Sequence, residues 1–312
     1  MENHQEEVLP ERIVEEKNET LRPISSGAEK WLYRKIKCLD HGFVILKDYM
    51  GNDESIIQAA RVSYGKGTKK VSEDTGLIRY LRRHLHTTPS EMVEFKFHCK
   101  MPIFVARQWI RHRTASVNEY SGRYSEMKNE FYLPDQEVLR GQSQTNKQGR
   151  GDDLTPAGKD RAIKLWNDGY DRAFATYEEL LGDEIGLAKE LARIGLPLST
   201  YTEWYWKIDL HNLMHFLALR LDSHAQHEIQ VFGQAMARII KDAVPISYKA
   251  FEDYTLTAMR LSGPEIKFIR MLTADSNMNR EGVEKNILER LGNKREAEEF
   301  LSKLEKLGFF QD

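Results

Sequence analysis

The residues best suited to chemistry lie in one short segment, 107 to 123. Four arginines and one glutamate give this segment a net charge of +3, whereas the whole chain has a formal net charge of −2. A guanidinium is planar and can bond two phosphate or carbonyl oxygens at once. The segment therefore predicts a site for an anionic ligand.

The surroundings of these arginines predict a helix followed by a loop. Pro102 opens the helix, because its missing N–H costs nothing at a first helical position. Along it we expect an apolar stripe of Ile103, Ala106 and Ile110, with Arg107 and Arg111 one turn apart beside the stripe. The polar side chains after Arg113 follow too densely for a helix interior, which favours a binding loop there; they are Ser116, Asn118, Glu119 and Ser121. No base stands at a defined spacing from Ser121, so it is interpreted as a hydrogen-bond donor to phosphate.

Two other classes of site fit some of these residues. One is a metallohydrolase, since two histidine pairs have spacings that could hold a metal: His211 with His215, and His224 with His227. Neither an HExxH motif nor a complete ligand set accompanies them, so we expect no metal. The other is a uridine-reading RNA-binding module that stacks bases on Trp109, Tyr120 and Tyr124, which the negative net charge disfavours. Such aromatic side chains more often pack in the core.

The order of residues in the segment is more specific than its charge. Arg-His-Arg-x-x-Ser-x-Asn-Glu-x-Ser-x-Arg, residues 111 to 123, resembles the signature of the flavin-dependent thymidylate synthases at all eight specified positions. The resemblance extends from about residue 36 to 251 and includes the His-x-Thr-Pro turn at 86 to 89 and blocks at 193 to 198 and 213 to 229. Two positions depart from it: Asp209-Leu-His211 stands where many members have Asn-x-Arg, and His215 replaces an asparagine.

The resemblance implies roles for individual residues. Arg220 would be catalytic, contacting the uracil edge and helping to ionise N3, because a fixed cation favours that developing anion. The residues implied to bind dUMP are Gln108, Arg111, Glu119, Ser121, Gly122, Arg123, Arg193 and Arg220. Those implied to bind FAD are His86, Thr88, Arg111, His112, Arg113, Glu119, Asp209, His211 and His215.

The activity implied is the reductive methylation of dUMP to dTMP. In this scheme 5,10-methylenetetrahydrofolate donates the carbon, NADPH reduces FAD, and the flavin supplies the hydride. The family's homotetramers, with active sites shared between subunits, imply the same assembly here. A flavin route needs no cysteine nucleophile, and we expect Cys38 and Cys99 to be structural.

Composition agrees with a cytoplasmic protein that binds neither membrane nor nucleic acid. The 312 residues are 40% hydrophobic and 30% charged, and no apolar run approaches the roughly 20 residues of a membrane span. The N-terminus is acidic, unlike a signal peptide. Two cysteines are too few for a disulfide framework, and 46 basic against 48 acidic residues argue against a protein that coats a polyanion.

The elements that position these residues predict an α+β fold, with a central, mostly antiparallel sheet flanked by long helices and a helical C-terminal extension. Strands are expected near 43 to 49, 93 to 99 and 199 to 208. Helices are expected near 53 to 62, 74 to 84, 157 to 181, 210 to 221, 225 to 242 and 280 to 307, and a mobile loop between 139 and 156. The domains predicted are a flexible acidic tail (1 to 28), a catalytic domain (29 to 255) and the extension (256 to 312).

Overall fold

A computed structural model describes residues 7–8, 19–62, 71–144, 149–273, 280–291 and 293–309. The chain forms two compact units, Met1–Phe251 and Glu252–Asp312. Of the helices in these ranges, none is long and apolar enough to cross a bilayer.

The first unit is built on one sheet in which all neighbouring strands are antiparallel. Its strands are β1 (Glu7–Val8), β2 (Arg34–Cys38), β3 (Gly42–Met50), β4 (Glu94–Pro102), β5 (Ser116–Glu119) and β8 (Tyr201–Asp209), in the order β1-β2-β3-β4-β8-β5. A separate two-stranded ribbon consists of β6 (Arg140–Gln142) and β7 (Arg150–Asp153). The predicted antiparallel sheet is therefore confirmed.

Helices flank this sheet, as predicted. In the first unit they are α1 (Ser26–Glu29), α2 (Asp53–Val62), α3 (Val71–Arg83), α4 (Ile103–Trp109), α5 (Pro156–Leu181), α6 (Lys189–Ala192), α7 (Leu210–Arg220), α8 (His227–Ala243) and α9 (Pro245–Phe251). The second unit contains α10 (Gly263–Thr273), α11 (Arg280–Leu291) and α12 (Lys294–Lys306). Asn293 caps α12, and Ile287 of α11 packs with Ala297 and Leu301 of α12. The predicted helical extension is thus confirmed.

The core lies between the helices and one face of β4 and β8. These strands pair along their whole lengths, from Glu94 opposite Asp209 to Pro102 opposite Tyr201. Alternate β4 side chains are buried, as period two predicts: Phe95, Phe97, Cys99 and Met101. The Trp109 ring of α4 meets this face, with centroid distances of 5.4 Å to Trp204 and 5.2 Å to Trp206.

Helix α4 is rotated relative to the prediction. Its buried side chains are Val105, Ala106 and Trp109, whereas Ile103 and Ile110 are only half-buried. The large Trp109 ring takes the core position, and this rotation fixes which side chains face the sheet. The helix ends at Trp109, so Arg111 lies beyond it.

Two segments predicted as unstructured are ordered. Ser25 caps α1, Ala28 is fully buried, and a Cβ atom on Gly27 would lie 1.7 Å from the Asp242 carbonyl oxygen, so residues 25 to 28 pack against α8. Small side chains permit this close approach, which corrects the tail prediction for these residues; 1–6 and 9–18 lie outside the described residues. The loop expected at 139 to 156 contains the β6–β7 ribbon, apart from 145–148, which are also outside them.

Candidate active site

The expected loop after Arg113 is partly a strand. Ser116–Glu119 forms β5 at the edge of the sheet, paired with β8 from Ser116 opposite Lys207 to Glu119 opposite Trp204. All four residues are exposed. The free edge of β8 satisfies the backbone groups of these polar residues, so the strand forms despite a sequence that favours a loop.

A cavity of about 410 Å³ opens where the chain leaves α4 and where α7 packs nearby. It brings together five residues of the predicted site: Arg111, His112, Arg113, His215 and Arg220. Thr114, Ile208, Asn212 and Leu219 complete its lining. Because three arginines and two histidines line one cavity, the cavity is a strong candidate for the binding site of an anionic ligand.

Arg220 is held at this cavity by two acceptors. Its Nη2 atom donates to Nε2 of His112 at 3.1 Å and contacts the Gln108 carbonyl oxygen at 3.5 Å. Its Nε atom is buried and has no hydrogen-bond partner among the residues described. Burial lowers the pKa of Arg220 below its usual value, although the guanidinium remains a cation at neutral pH. The guanidinium therefore keeps an unused donor.

His112 is a neutral imidazole at neutral pH. Burial, together with the positive charge of Arg220 and the proximity of His215, lowers the pKa of His112 to about 4. Its ring lies edge-on to Phe216 at 5.0 Å and to His215 at 5.7 Å. A neutral ring can accept the Arg220 hydrogen bond through Nε2 only as the Nδ1–H tautomer.

The start of α7 carries two more of the predicted FAD residues. Asp209 caps the helix by accepting hydrogen bonds from the Asn212 backbone N at 2.9 Å and its Nδ2 at 2.7 Å. Nδ1 of His211 is buried and without a hydrogen-bond partner in the described part of the chain. Burial, with the charge of Arg82, lowers the pKa of His211.

The turn with two further predicted FAD residues lies beside α7. Thr88 begins a short 3₁₀ helix, Thr88–Met92, that contacts α7. His86 is exposed, and its ring lies edge-on to Tyr80 at 5.8 Å. The 3₁₀ helix that begins at Thr88 thus lies beside the helix of His211 and His215, and neither His86 nor Thr88 lines the cavity.

Four other predicted dUMP residues, Ser121, Gly122, Arg123 and Arg193, form a second group beyond β5. A Cβ atom on Gly122 would lie 3.1 Å from Cδ of Arg193, and Nε of Arg123 donates to Glu190 at 2.8 Å. The backbone N of Arg123 also approaches Oγ of Ser121 at 3.3 Å. Neither arginine lines the cavity. A four-residue strand spans roughly 13 Å, so β5 holds the two groups apart within one chain.

Glu119 lies on β5 itself, between the two groups. It accepts a hydrogen bond from Thr202 Oγ1 at 2.8 Å. Gln108 belongs to the first group, where its side chain donates to Gln226 and its carbonyl oxygen contacts Arg220.

Sequence reasoning missed several residues of the site. Asn212 lines the cavity, and Glu190 pairs with Arg123. The spacing of 212, 215 and 219 places one stripe of α7 on the cavity, a helical signal that was available in the sequence. Gln226 contacts Gln108 and Glu190 contacts Arg123, and both contacts join parts of the chain that are distant in sequence. Such contacts produce no periodic pattern in the sequence.

The structure also places the histidines and aromatic residues that suggested a metal site or an RNA-binding module. Among the described residues, no three His, Cys, Asp or Glu side chains are placed to hold a metal ion. His224 is 80% exposed and pairs with Asp222 instead of His227. Trp109 is fully buried, as expected for a packing residue, whereas Tyr124 is 78% exposed and does not pack.

Comparisons with known proteins agree with the motif. The family model described as thymidylate synthase complementing protein matches residues 45–246. A protein of Ruegeria pomeroyi named flavin-dependent thymidylate synthase is 53% identical over 84% of this chain and 87% of its own length. One of Wolbachia pipientis with the same name is 52% identical over 92% of this chain and 98% of its own.

A solved structure gives the same result for the fold. The UMP/dUMP methylase PolB of Streptomyces cacaoi, bound with 5-Br UMP, has 33% identity and a TM-score of 0.63, and the match covers 72% of this chain and all of PolB. The family resemblance inferred from residues 111 to 123 is therefore confirmed. By its motif, its fold and these matches, the chain belongs to the thymidylate synthase complementing protein family, that of the flavin-dependent thymidylate synthases.

Proposed function

We propose that this protein converts dUMP to dTMP, with 5,10-methylenetetrahydrofolate as the carbon donor and FAD, reduced by NADPH, as the hydride carrier. One observation carries the proposal: Arg220, whose buried Nε donor has no hydrogen-bond partner in the described ranges, lies in a cavity that Arg111 and Arg113 also line. The overall reaction balances: the methylene carbon and the hydride together make the methyl group, which replaces the proton on C5 of uracil. That proton and one from solvent complete the two N–H groups of tetrahydrofolate, and NADPH is oxidised to NADP⁺.

The cavity residues fit a flavin nucleotide. Arg111 and Arg113 suit its pyrophosphate, and the buried Nδ1 of His211 needs a hydrogen-bond partner that a ligand would provide. Arg111, His112, Arg113, His211 and His215 would hold the flavin, with His86, Thr88, Glu119 and Asp209 around them. When bound, the flavin supplies the hydride.

Arg220 would act on the uracil ring. Carbon C5 of uracil is a poor nucleophile, and removal of the N3 proton raises the electron density of the ring. A guanidinium fixed at the uracil edge stabilises that anion, because a preorganised cation needs no reorganisation as charge develops. His112 and the Gln108 carbonyl already hold the guanidinium in one place.

The two separated groups support shared active sites. Gln108, Arg111 and Arg220 lie on one side of β5, whereas Ser121, Gly122, Arg123 and Arg193 lie on the other. A nucleotide that uses both groups would take them from different copies of the chain. We therefore propose a homotetramer whose sites combine subunits. The cytoplasm suits it, since two free cysteines persist as thiols in a reducing compartment.

The proposal is tested by turnover and colour. The purified protein should carry a flavin absorbance spectrum and form dTMP from dUMP, methylenetetrahydrofolate and NADPH. Arg220→Ala should abolish dTMP formation while flavin stays bound. A colourless protein that binds no added FAD and makes no dTMP would overturn the proposal.

Mixing two inactive variants tests the shared site. Arg220→Ala and Arg123→Ala, denatured and refolded together, should regain part of the activity, because some sites in mixed tetramers receive both arginines intact. Each variant refolded alone serves as the control. One variant carries an affinity tag, and no recovery of activity in tetramers that retain the untagged variant during affinity capture would refute sharing.

A further inference from the structure

His112 and Arg220 form one polar unit at the wall of the cavity. Nη2 of Arg220 lies 3.1 Å from Nε2 of His112, and the two residues come from segments 108 positions apart in the chain. Among the residues that the structure describes, the Gln108 carbonyl oxygen, at 3.5 Å, is the other acceptor for this guanidinium. Nε2 of His112 is thus the closest acceptor that fixes the direction of the guanidinium.

Packing holds both partners of this hydrogen bond in place. The His112 ring lies edge-on to Phe216, which is fully buried and stacks on Trp109 with centroids 5.0 Å apart. Gly233 of α8 lies against the base of Arg220, where an added Cβ atom would be 3.3 Å from Cβ and 3.5 Å from the backbone carbonyl oxygen of Arg220. The His112 ring therefore packs on the aromatic core, and α8 holds the backbone and Cβ of Arg220 in place.

The hydrogen bond also needs a neutral ring. A protonated imidazole donates from both nitrogens and would repel the guanidinium, so only the neutral Nδ1–H tautomer can accept from Arg220. Burial and the neighbouring cation keep the pKa of His112 far below neutrality. At neutral pH the His112 ring is therefore uncharged and able to accept the hydrogen bond from Arg220 through Nε2.

We propose that His112 is a positioning residue for Arg220: its Nε2 atom orients the guanidinium toward the uracil nucleotide. The inference rests on the proposed function for the role of Arg220, and it assigns to His112 a task other than holding the flavin. Because the effect of His112 on the nucleotide passes through Arg220, it depends on the presence of that arginine.

A double-mutant cycle on dUMP binding tests this dependence. Dissociation constants for dUMP are measured by equilibrium dialysis, on FAD-saturated protein with bound flavin quantified, for wild type, His112→Met, Arg220→Ala and the double variant. Methionine fills similar space without the ring nitrogen. His112→Met should weaken dUMP binding about tenfold when Arg220 is present and less than about twofold when it is absent.

A rescue variant separates positioning from packing. The side-chain amide of glutamine reaches about as far as Nε2 of histidine and offers an oxygen acceptor, so His112→Gln should bind dUMP within about threefold of wild type. His224→Met is the matched control, since His224 is 80% exposed and lies outside the proposed machinery; its dUMP affinity should equal that of wild type.

The outcomes separate this inference from the proposed function. Equal weakening by His112→Met in both backgrounds, or a His112→Gln variant as poor as His112→Met, would overturn the positioning role. A wild type that neither binds dUMP nor makes dTMP would overturn the proposed function instead. Nitrogen-15 NMR of the imidazole rings tests the hydrogen bond between Arg220 and His112 directly. Nε2 of His112 should be unprotonated, and its chemical shift should change in Arg220→Ala. A His112 ring protonated at Nε2 would refute the hydrogen bond.

Discussion

Gly122 lies directly against the side chain of Arg193. A Cβ atom on Gly122 would be 3.1 Å from Cδ and 3.3 Å from Nη1 of this arginine, and 2.8 Å from the Met127 sulfur. The glycine thus leaves the space through which the Arg193 side chain passes. In the proposed site Arg193 binds dUMP. The absence of a side chain at Gly122 therefore affects dUMP affinity through the position of Arg193.

Gly122→Ala should therefore raise the KM for dUMP about tenfold, because a displacement of Arg193 by a fraction of an ångström weakens its grip on the nucleotide. The crowding should cost about 1–3 kcal/mol in the free energy of unfolding. Steady-state kinetics and urea unfolding measure the two effects. Gly195→Ala is the control, since nothing lies within 4 Å of its added Cβ atom. Unchanged KM in Gly122→Ala would show that Arg193 does not depend on this space.

Arg150→Met should destabilise the protein by about 1–3 kcal/mol at neutral pH, because it removes a charged hydrogen-bond partner from a buried carboxylate. Nη2 of Arg150 lies 2.5 and 2.7 Å from the two oxygens of Glu228, whose side chain is 4% exposed. Urea unfolding measures the loss. Arg140→Met, on the same ribbon but paired with the exposed Asp153, should cost no more than about 1 kcal/mol.

The cost of Arg150→Met should depend on pH in a known direction. Burial by itself would raise the pKa of Glu228, but Arg150 and the hydrogen bonds to the carboxylate bring it below the ordinary value of 4.5. The folded wild type thus gains stability above that value and loses it as pH falls through the lowered pKa. Without Arg150, burial leaves the pKa of Glu228 above its ordinary value, so the gap between variant and wild type should be full above that raised pKa and shrink as pH falls from there through the lowered pKa of the wild type. A gap that grows on acidification would contradict the ion pair.

The double variant Cys38→Ala/Cys99→Ala should make dTMP at the wild-type rate. Both thiols are buried, and burial raises the pKa of each above its usual range, so neither is a thiolate at neutral pH. Each substitution should cost about 1 kcal/mol of stability through lost packing. The assay is dTMP formation below the melting temperature of the variant. Loss of turnover by a folded variant would indicate a cysteine nucleophile.

Asp209→Ala should lower stability by about 1 kcal/mol and weaken flavin binding, because it removes the cap of the helix that carries His211 and His215. Asp209→Asn is the matched control, since asparagine caps a helix equally well. Melting temperature and flavin titration report the two effects. If asparagine weakens flavin binding as much as alanine does, the negative charge matters and the cap does not.

Local patterns predicted much of the fold. Strand β4 alternates buried Phe95, Phe97 and Cys99 with polar residues, and this period appears in the sequence because one face of the strand meets the core. Helix α5, Pro156–Leu181, lies where a helix is expected from 157 to 181, and its start is set locally, because Thr155 caps it and Pro156 is its first residue. These features depend on neighbours in the chain.

Other features depend on distant residues, and local patterns missed them. Ser116–Glu119 is polar enough for a loop, yet it forms β5 because β8 offers a free edge. Ser25 to Ala28 belong to a polar, acidic stretch, yet they pack because small residues let α8 approach. In both cases the backbone of a remote element, absent from any local window, supplies the stabilising contacts.

The sequence by itself determined the family, because the eight specified residues of 111 to 123 stand in fixed order, and it determined the residue types available for an anionic ligand. Only the tertiary structure decided which of them meet. It joined His112 to Arg220 and placed Arg123 and Arg193 beyond β5. The physical reason is that a side-chain hydrogen bond acts over about 3 Å, and positions 108 residues apart come within that reach only when α4 and α7 pack on the same sheet.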